Sequence, residues 1–445
     1  MDSAKVMEYT AEVCRKSGAD EWEIASIESR LLSVEAKDGG VEAFEVASSL
    51  GIAVRVRVGD RPGFSYSAEC SDNALSLMVD SAMAGARAAD ADPQSAFADP
   101  GGILPDLNLW DSAFENIGKD QKIARAFAIE EEARKYDRRI ARVRSAVYGE
   151  GSRLIRIINS HGLNREARAN GCSASLMAVA EENGESQMGW DHAYSGTWDE
   201  LDVRAIARSA AADAVDMLGA KTIPTVKAPV ILRHSTAAEL LAVLGNSFLG
   251  ESVAKGKSML IGKLGKKIFS ELITIYDDGL MKNGAASFPF DGEGVPRHTT
   301  RLACNGAIEH FLYDLPWGRR AGKESTGNAI RGGYISPPML GLTNLYIPAG
   351  DRTLEEIIKE TGKGLLVKEL MGVHTANPIS GDFSLGVSGT WIEGGGPAYP
   401  VQGVTVAGNI IELFGCVDAV AADLKFVDRV GSPSLRIDCL SIGGQ

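Results

Sequence analysis

Histidine is the residue type on which a zinc peptidase depends, and the histidines of this sequence are widely separated. A catalytic zinc site gathers neutral imidazoles and carboxylates, keeps one position open for water and places a glutamate nearby to move protons. No two histidines lie within ten residues of each other, so no helix carries a pair at ligand spacing. The sequence still allows a zinc site whose ligands come from distant loops. The histidines are His161, His192, His234, His298, His310 and His374.

Other catalytic signatures are incomplete. Ser388 lies in GVSG, which is one residue shorter than the GxSxG elbow of a serine hydrolase. Residues 322–325 read GKES, which lacks the spacing of a phosphate-binding loop, and no GxGxxG follows a strand. Cys416, on a predicted helix, and Cys439, on a predicted strand, are more typical of small packing residues than of nucleophiles. A nucleotide enzyme is therefore not indicated.

Asp277 and Asp278 form an adjacent pair of acids before Gly279. Two neighbouring side chains in a loop do not converge as a protease dyad does. Aspartates before a glycine are typical of turns in which the side chain accepts a backbone hydrogen bond. We expect this pair in a solvent-exposed turn.

The overall charge argues against one class of partner. The 445 residues include 46 Lys and Arg and 59 Asp and Glu, for a net charge of −13. An acidic protein is repelled by nucleic acid phosphates, so direct nucleic acid binding is not expected. The first twenty residues have no apolar core typical of a secretion signal, and no apolar run reaches membrane-spanning length. The six cysteines form no CxxC pair, which is typical of proteins whose cysteines are reduced. We therefore predict a cytoplasmic protein with no membrane contact.

Local patterns predict a mixed first half. Residues 51–58 read GIAVRVRV, a period-two run with Arg55 and Arg57 on its polar face. Ser71 is the expected N-cap of a helix that ends near Ala89. The patterns predict helices over residues 3–17, 71–89, 120–136 and 199–218. They predict strands over residues 21–34, 41–47, 51–58, 64–67, 140–147, 154–159 and 166–179, with a possible hairpin turn at Asn170-Gly171.

The second half is rich in glycine and short strands. Pro224 and Pro229 mark the expected boundary between two domains, residues 1–222 and 223–445. Helices are predicted over residues 237–249, 354–361 and 409–422. The fold class is therefore α+β: an N-terminal α+β domain is followed by a mainly β, glycine-rich C-terminal domain with a coiled or barrel-like sheet.

Several motifs in this half occur together in one known family. Residues 381–408 read GDFSLGVSGTWIEGGGPAYPVQGVTVAG, and residues 273–331 contain TIYDDGL, FPFDGEGVP, FLYD and GKESTGNAIR in that order. The chain resembles the TldD/PmbA family, described as candidate modulators of DNA gyrase, whose PmbA members are also called TldE. The resemblance implies a cytoplasmic, heterodimeric TldD–TldE zinc protease that cleaves unfolded peptides.

The resemblance also shows what this chain lacks. The TldD branch carries an HExxxH zinc helix. Its two histidines correspond to Leu241 and Asn246 here, and its glutamate corresponds to Ala242. Leucine cannot bind zinc, and alanine cannot act as a base. Residues 421–429 read AADLKFVDR, without the cysteine segment of TldD. These departures imply the PmbA/TldE branch, no catalytic or metal residue in this chain, and zinc in a TldD-like partner.

Small polar residues in two glycine-rich loops are the candidates for substrate contact. Glycine allows close backbone approach, and an extended peptide can add to an exposed strand edge. The resemblance to a peptidase makes these loops candidates for the wall of a substrate chamber. The residues are Ser325, Thr326, Asn328, Asp382 and Ser384.

These observations favour a PmbA/TldE-like, non-catalytic subunit of a zinc metalloprotease complex that acts on unfolded peptides. Its expected partner is a TldD-like subunit, or a second copy of this chain in isolation. One alternative is a metallopeptidase in its own right, with dispersed ligands such as His298, His310 or His374. Another is a binding protein that modulates DNA gyrase without proteolysis.

Overall fold

The computed structural model describes residues 3–444, and its first half is organised around one antiparallel sheet. The elements in chain order are α1 (Ser3–Ser17), β1 (Glu21–Lys37), β2 (Gly40–Val58), β3 (Arg61–Ser67), α2 (Asp72–Ala88), α3 (Ala113–Asn116), α4 (Lys119–Tyr136), β4 (Ile140–Asn159), β5 (Asn164–Glu182), β6 (Glu185–Ser195) and α5 (Val203–Asp216). The strand order is β3-β2-β1-β4-β5-β6. Helices α1 and α2 cover β1 to β3, while α4 and α5 cover β4 to β6.

The long strands correct two expectations, a break between residues 147 and 154 and a hairpin turn at Asn170-Gly171. Residues 140–159 form one strand rather than two, and residues 164–182 continue through Asn170-Gly171 without a hairpin. Gly151 pairs with both Leu31 and Gly171, so the neighbouring strands keep the backbone extended. A Cβ on Gly171 would lie 2.3 Å from the Tyr194 hydroxyl oxygen. The glycine there makes room for the tyrosine ring rather than for a turn.

Capping residues set the helix starts. Ser71 caps α2 as expected, because its Oγ accepts a hydrogen bond from the Ala74 N–H. The helix expected over 199–218 is shorter, because Asp202 accepts from the N–H groups of Arg204 and Ala205 and begins α5 at Val203. Among residues 3–444, no helix combines the length and apolar composition needed to cross a membrane.

The second half is mainly β, as expected. Its elements are β7 (Val226–Leu232), α6 (His234–Gly245), α7 (Gly250–Ala254), β8 (Ile275–Asp278), β9 (Thr299–Cys304), β10 (Ala307–Ile308), α8 (Leu315–Ala321), β11 (Ala329–Ile330), β12 (Met339–Leu340), β13 (Leu345–Tyr346), α9 (Leu354–Thr361), β14 (Lys363–Met371), β15 (Asp382–Glu393), β16 (Gly396–Asn409), α10 (Ile410–Gly415), β17 (Val417–Val420), β18 (Lys425–Val427), β19 (Val430–Ser432) and β20 (Leu435–Gly443). Short 3-10 helices cover Asn246–Phe248 and Val373–Thr375.

A closed barrel forms the centre of this half. Its strands follow the order β16-β15-β14-β7-β20, and β20 pairs back to β16 through Thr405↔Gly443 and Val406↔Ile442. A second sheet has the order β10-β9-β8-β13-β19-β18. Helix α6 contacts β14 of the barrel as well as β13, β18 and β19 of the second sheet. The expected α+β half followed by a barrel-like, mainly β half is therefore confirmed.

Two helix boundaries differ from expectation. The helix expected over 409–422 ends at Gly415, because Val417 and Ala419 pair with Ile437 and Arg436 of β20. A strand partner from the end of the chain overrides a helical pattern there. The helix expected over 237–249 begins earlier, at His234, and ends at Gly245. The helix over 354–361 is confirmed, with Thr353 as its N-cap.

Candidate functional site

Helix α6 borders a cleft of about 300 Å³ between the two halves of the molecule. The first half contributes β5, β6 and α5, and the second half contributes α6, β14, β15 and β18. Clefts between packed units are common places for ligand sites. We call this cleft the α6 cleft. Its polar and charged lining residues are Asp191, His192, Ser209, Asp213, Arg233, His234, Ser235, Glu239, Lys368, Glu369 and Ser388.

Two carboxyl groups, those of Glu239 and Glu369, line the α6 cleft and interact electrostatically. Burial, together with the neighbouring charge of Glu369, raises the pKa of Glu239 on α6 to about 7. Glu369 of β14 accepts a 2.9 Å hydrogen bond from Ser388 Oγ on β15. Ser388 of the GVSG motif thus supports a carboxylate. The pair gives the cleft a group that exchanges a proton near neutral pH.

The cations of the α6 cleft are paired with other acids. Arg233 Nη1 donates to both Asp213 carboxylate oxygens at 2.6 and 2.8 Å. Lys368 Nζ lies 2.7 Å from an Asp216 carboxylate oxygen and 3.5 Å from an Asp213 oxygen. Within residues 3–444, Glu239 forms no ion pair of its own, which agrees with its raised pKa.

Two histidines of the α6 cleft are held neutral. Burial, together with the positive charge of the nearby Arg233, lowers the pKa of His234 to about 4. The backbone N–H of His234 donates to Ser434 Oγ at 3.0 Å, whereas its buried ring Nδ1 has no partner in the structure. Burial also lowers the pKa of His192, whose ring stacks on Trp190. A neutral imidazole and a protonatable carboxyl can bind polar groups of a ligand and hold a proton.

The residues at the three expected zinc-helix positions offer no imidazole or carboxylate to a metal ion. Leu241 is fully buried in the apolar core of the second half. Ala242 is partly buried, and Asn246 is exposed in the 3-10 turn that follows the helix. None of these side chains supplies an imidazole or carboxylate. In the part of the chain that the structure describes, no three His, Cys, Asp or Glu residues group in a way that could hold a metal ion.

The dispersed histidines considered above are not gathered by the fold. His298, His310 and His374 are all exposed. The ring Nδ1 of His310 lies 2.9 Å from the carbonyl oxygen of Arg301, which holds that ring against β9. The described residues give these three histidines no common cluster with other ligand types.

Three of the expected chamber residues use their side chains to hold their own loop in place. Ser325 Oγ and Thr326 Oγ1 donate to the carbonyl oxygen of Tyr313 at 3.2 and 3.0 Å. Asn328 is 2% exposed, and its Nδ2 donates to Asp277 Oδ1 at 2.8 Å. Asp277 is itself buried on β8, with its pKa raised by burial. The expectation of a solvent-exposed turn at Asp277 is wrong, because its carboxylate holds this loop together.

The other two chamber residues lie elsewhere. Asp382 and Ser384 are exposed on β15. The Asp382 carboxylate accepts from Asn409 Nδ2 at 3.0 Å and from Ser380 Oγ at 2.8 Å. No hydrogen bond between residues described in the structure joins this segment to the loop at Ser325, and none of the five candidates lines the α6 cleft. Their role in substrate contact stays a prediction.

The groups of the α6 cleft were missed from the sequence. Glu239 is a single acid within the apolar helix sequence TAAELLAVLG, and that isolated charge is the available signal. Glu369 and Ser388 lie far along the chain. They meet Glu239 only because β14 pairs in parallel with β7, the strand that leads into α6.

Glu239→Gln is expected to raise the free energy of unfolding by about 1 to 2 kcal/mol at pH 8, after allowance for solvent screening of the carboxyl. The pKa of Glu239 is raised from 4.5 to about 7 on folding. Between pH 4.5 and about pH 7, the carboxyl loses its proton in the unfolded chain but keeps it in the folded one. The rise in pH therefore favours the unfolded chain, and above about pH 7 the Glu239 carboxyl destabilises the fold. Below pH 4.5, where both states are protonated, the substitution should have little effect.

Urea unfolding at pH 4 and pH 8 measures this difference. Glu412→Gln is the control, because Glu412 is exposed on the short helix α10. A Glu239→Gln effect that does not change with pH would contradict the buried-carboxyl account.

Comparisons with known proteins match the chain along most of its length. Three family models fit in order: PmbA/TldA metallopeptidase domain 1 over residues 22–86, the central domain over residues 113–218 and the C-terminal domain over residues 225–444. The chain is 28% identical to a protein named Metalloprotease PmbA from Escherichia coli O157:H7, covering 96% of this chain and 93% of that protein. It is 26% identical to a Metalloprotease TldD homolog from Haemophilus influenzae, covering 92% and 89%.

Solved structures agree with this fold. TldE from Thermococcus kodakarensis has a TM-score of 0.91 and 25% identity, covering 99% of this chain and 100% of that one. A protein from Thermotoga maritima described as a candidate modulator of a DNA gyrase has a TM-score of 0.90 and 27% identity, with the same coverage. The architecture is therefore shared over the whole chain.

Proposed function

The chain belongs to the PmbA/TldD metallopeptidase family, and on this premise we propose that it is the TldE-type subunit of a two-subunit zinc peptidase. In this proposal a TldD-like partner holds the zinc, and this chain completes the chamber that receives unfolded peptides in the cytoplasm. Without that partner, we expect the same surface to form a homodimer.

The packing of α6 is the observation that supports a non-catalytic role. Leu241, at the position of a zinc ligand in the TldD branch, has no exposed surface and packs in the central core. Leucine offers no lone pair, and alanine at position 242 cannot accept a proton. The intact fold around α6 indicates that the helix serves packing in this chain.

The α6 cleft gives this subunit a place to contact a peptide. Glu239 lies within one turn of Leu241, on the part of α6 that faces the first half. A site that binds substrate without taking part in the chemical step changes KM more than kcat. We therefore expect this chain to influence substrate binding in the complex.

Peptide hydrolysis should require both subunits. The test measures cleavage of an unfolded peptide by this chain, by a TldD-like protein and by their mixture, with zinc quantified in each sample. We expect activity only in the mixture and no stoichiometric zinc in this chain alone. A chelator should abolish the activity of the mixture and leave the Tm of this chain unchanged.

Two outcomes would replace the proposal. Hydrolysis with stoichiometric zinc in this chain alone would establish an independent metallopeptidase. A salt-insensitive complex with DNA gyrase, together with no effect on peptide hydrolysis, would establish a binding modulator.

A further inference from the structure

A second cavity, of about 300 Å³, is lined by an unusual number of arginines. It lies between β4 of the first half and the segments 285–297, 330–332 and 428–429 of the second half. Phe288 and Phe290 contribute apolar walls. We call it the arginine cavity. Its charged lining residues are Arg153, Asp291, Arg297, Arg331, Asp428 and Arg429.

Two guanidinium groups of the arginine cavity have buried N–H groups that find no acceptor among residues 3–444. They are Nε of Arg297, a residue 9% exposed, and Nη1 of Arg331, whose side chain is 2% exposed. Leaving a charged donor buried and unpaired costs free energy. The adjoining space could supply the missing acceptors if an oxyanion entered it.

The carboxylates near the arginine cavity do not balance all four cations. Arg331 donates to Glu23 at 2.6 Å, and Arg429 lies 3.7 Å from Asp428. Arg153 and Arg297 have no carboxylate within ion-pair distance among the described residues.

Those two arginines bind carbonyl oxygens instead. Arg153 Nη2 donates to the Ser287 carbonyl oxygen at 3.3 Å, and its guanidinium carbon lies 4.8 Å from the centre of the Phe288 ring. Arg297 Nη1 donates to the Ala286 carbonyl oxygen. Burial lowers the pKa of Arg297 to about 10, and the charge of Arg153 acts in the same direction. Both cations lie in the cavity without a full counter-charge.

Asp291 is committed to the backbone. Its Oδ1 accepts from the N–H groups of Glu293 and Val295 at 2.9 and 3.0 Å, and its Oδ2 accepts from the Ala329 N–H at 3.0 Å. Burial raises the pKa of this carboxyl to about 6. Although it attracts Arg297, it makes no hydrogen bond to that guanidinium in the described residues.

A larger cavity, of about 530 Å³, adjoins the arginine cavity. Arg153 and Ala285 line both. The larger cavity lies over the middle of the long sheet. Gly149, Gly151 and Gly171 line it without side chains, and the hydrocarbon of Leu31 also borders it. We call it the glycine cavity. It offers space for an apolar side chain next to the cations.

We propose that the two cavities together bind the C-terminal residue of an unfolded peptide, with its carboxylate on Arg153 and Arg297 and its apolar side chain in the glycine cavity. Guanidinium groups match the planar geometry of a carboxylate. That this carboxylate belongs to a peptide rests on the proposed function. Inorganic phosphate is the competing source of an oxyanion.

The test compares two labelled peptides that differ only at the C-terminus, which is a free carboxylate in one and an amide in the other. Both carry an N-terminal fluorophore and a terminal leucine, and fluorescence anisotropy of the full chain measures Kd. We expect the free acid to bind at least about 10-fold more tightly than the amide. Arg153→Gln and Arg297→Gln should each remove most of this ratio.

Arg144→Gln is the matched control, because Arg144 is exposed on the same strand as Arg153. It should leave the ratio unchanged. Thermal unfolding identifies an arginine variant that fails to fold. The binding ratio of the other arginine variant then tests the proposal.

Equal binding of acid and amide, no binding of either peptide, or an unchanged ratio in both folded arginine variants would overturn the proposal. Displacement of the peptide by inorganic phosphate at a lower concentration than N-acetyl-leucine would assign the cavity to phosphate and overturn it as well. If this proposal is overturned, the prediction that hydrolysis depends on the partner still stands. Loss of that hydrolysis, with the acid preference retained, would refute only the proposed function.

Discussion

Glu23→Gln should lower the free energy of unfolding by about 3 to 5 kcal/mol, because it leaves the buried guanidinium of Arg331 without a carboxylate partner among the described residues. Glu23 is 1% exposed, and its carboxylate accepts from Arg55 at 2.6 and 2.9 Å. It also accepts from Arg331 Nη2 at 2.6 Å. One carboxylate on β1 therefore compensates two cations, one of them from the second half of the chain.

Equilibrium unfolding in urea, followed by circular dichroism, measures this loss. Glu28→Gln on the same strand is the control. The Glu28 side chain is 40% exposed and pairs with Arg156, so its loss should cost less than about 1 kcal/mol. Similar losses for the two variants would show that Glu23 is not an important electrostatic link.

Gly389→Ala should cost about 3 kcal/mol, at the upper end of the range for overpacking. A Cβ at this position would lie 1.9 Å from the Leu366 carbonyl oxygen and 3.0 Å from Val367 Cα. Both obstructing atoms are backbone of the neighbouring barrel strand β14, so a side-chain rotation cannot relieve the clash. The final glycine of the GVSG motif is therefore required by strand packing.

Thermal and urea unfolding of Gly389→Ala test this account. Gly396→Ala is the control in the paired strand β16, because no atom lies within 4 Å of its added Cβ. That change should remain within about 0.5 kcal/mol of the parent protein. A Gly389→Ala protein as stable as the control would mean that the barrel backbone shifts without cost.

Local pattern predicted elements whose boundaries depend on local chemistry. The N-cap at Ser71 and the helix after Thr353 are examples, because each capping bond joins residues three apart. The uninterrupted β4 was not predicted, because Gly149 and Gly151 interrupt the strand pattern between residues 147 and 154. The hairpin between β5 and β6 was also missed, although Asn183-Gly184, with both φ angles positive, is a strong turn signal.

The α6 cleft was not predicted from the sequence. That Leu241 and Ala242 replace a zinc ligand and a base stays a prediction from the family resemblance. Sequence alone could not bring Glu239, Glu369 and Ser388 together, because the pairing of β7 with β14 and of β14 with β15 decides their contact. The burial of Asp277 likewise depends on Asn328 and on the backbone N–H of Thr343, and not on its immediate neighbours.

The closure of the barrel constrains how this protein folds as it leaves the ribosome. Strand β7 (Val226–Leu232) is synthesised long before its antiparallel neighbour β20 (Leu435–Gly443). At typical translation rates, β7 waits roughly 10 to 40 s for that neighbour. During this interval its apolar edge is unpaired and open to other chains. Co-translational chaperones should therefore bind nascent chains that end before β20 and release those that contain it.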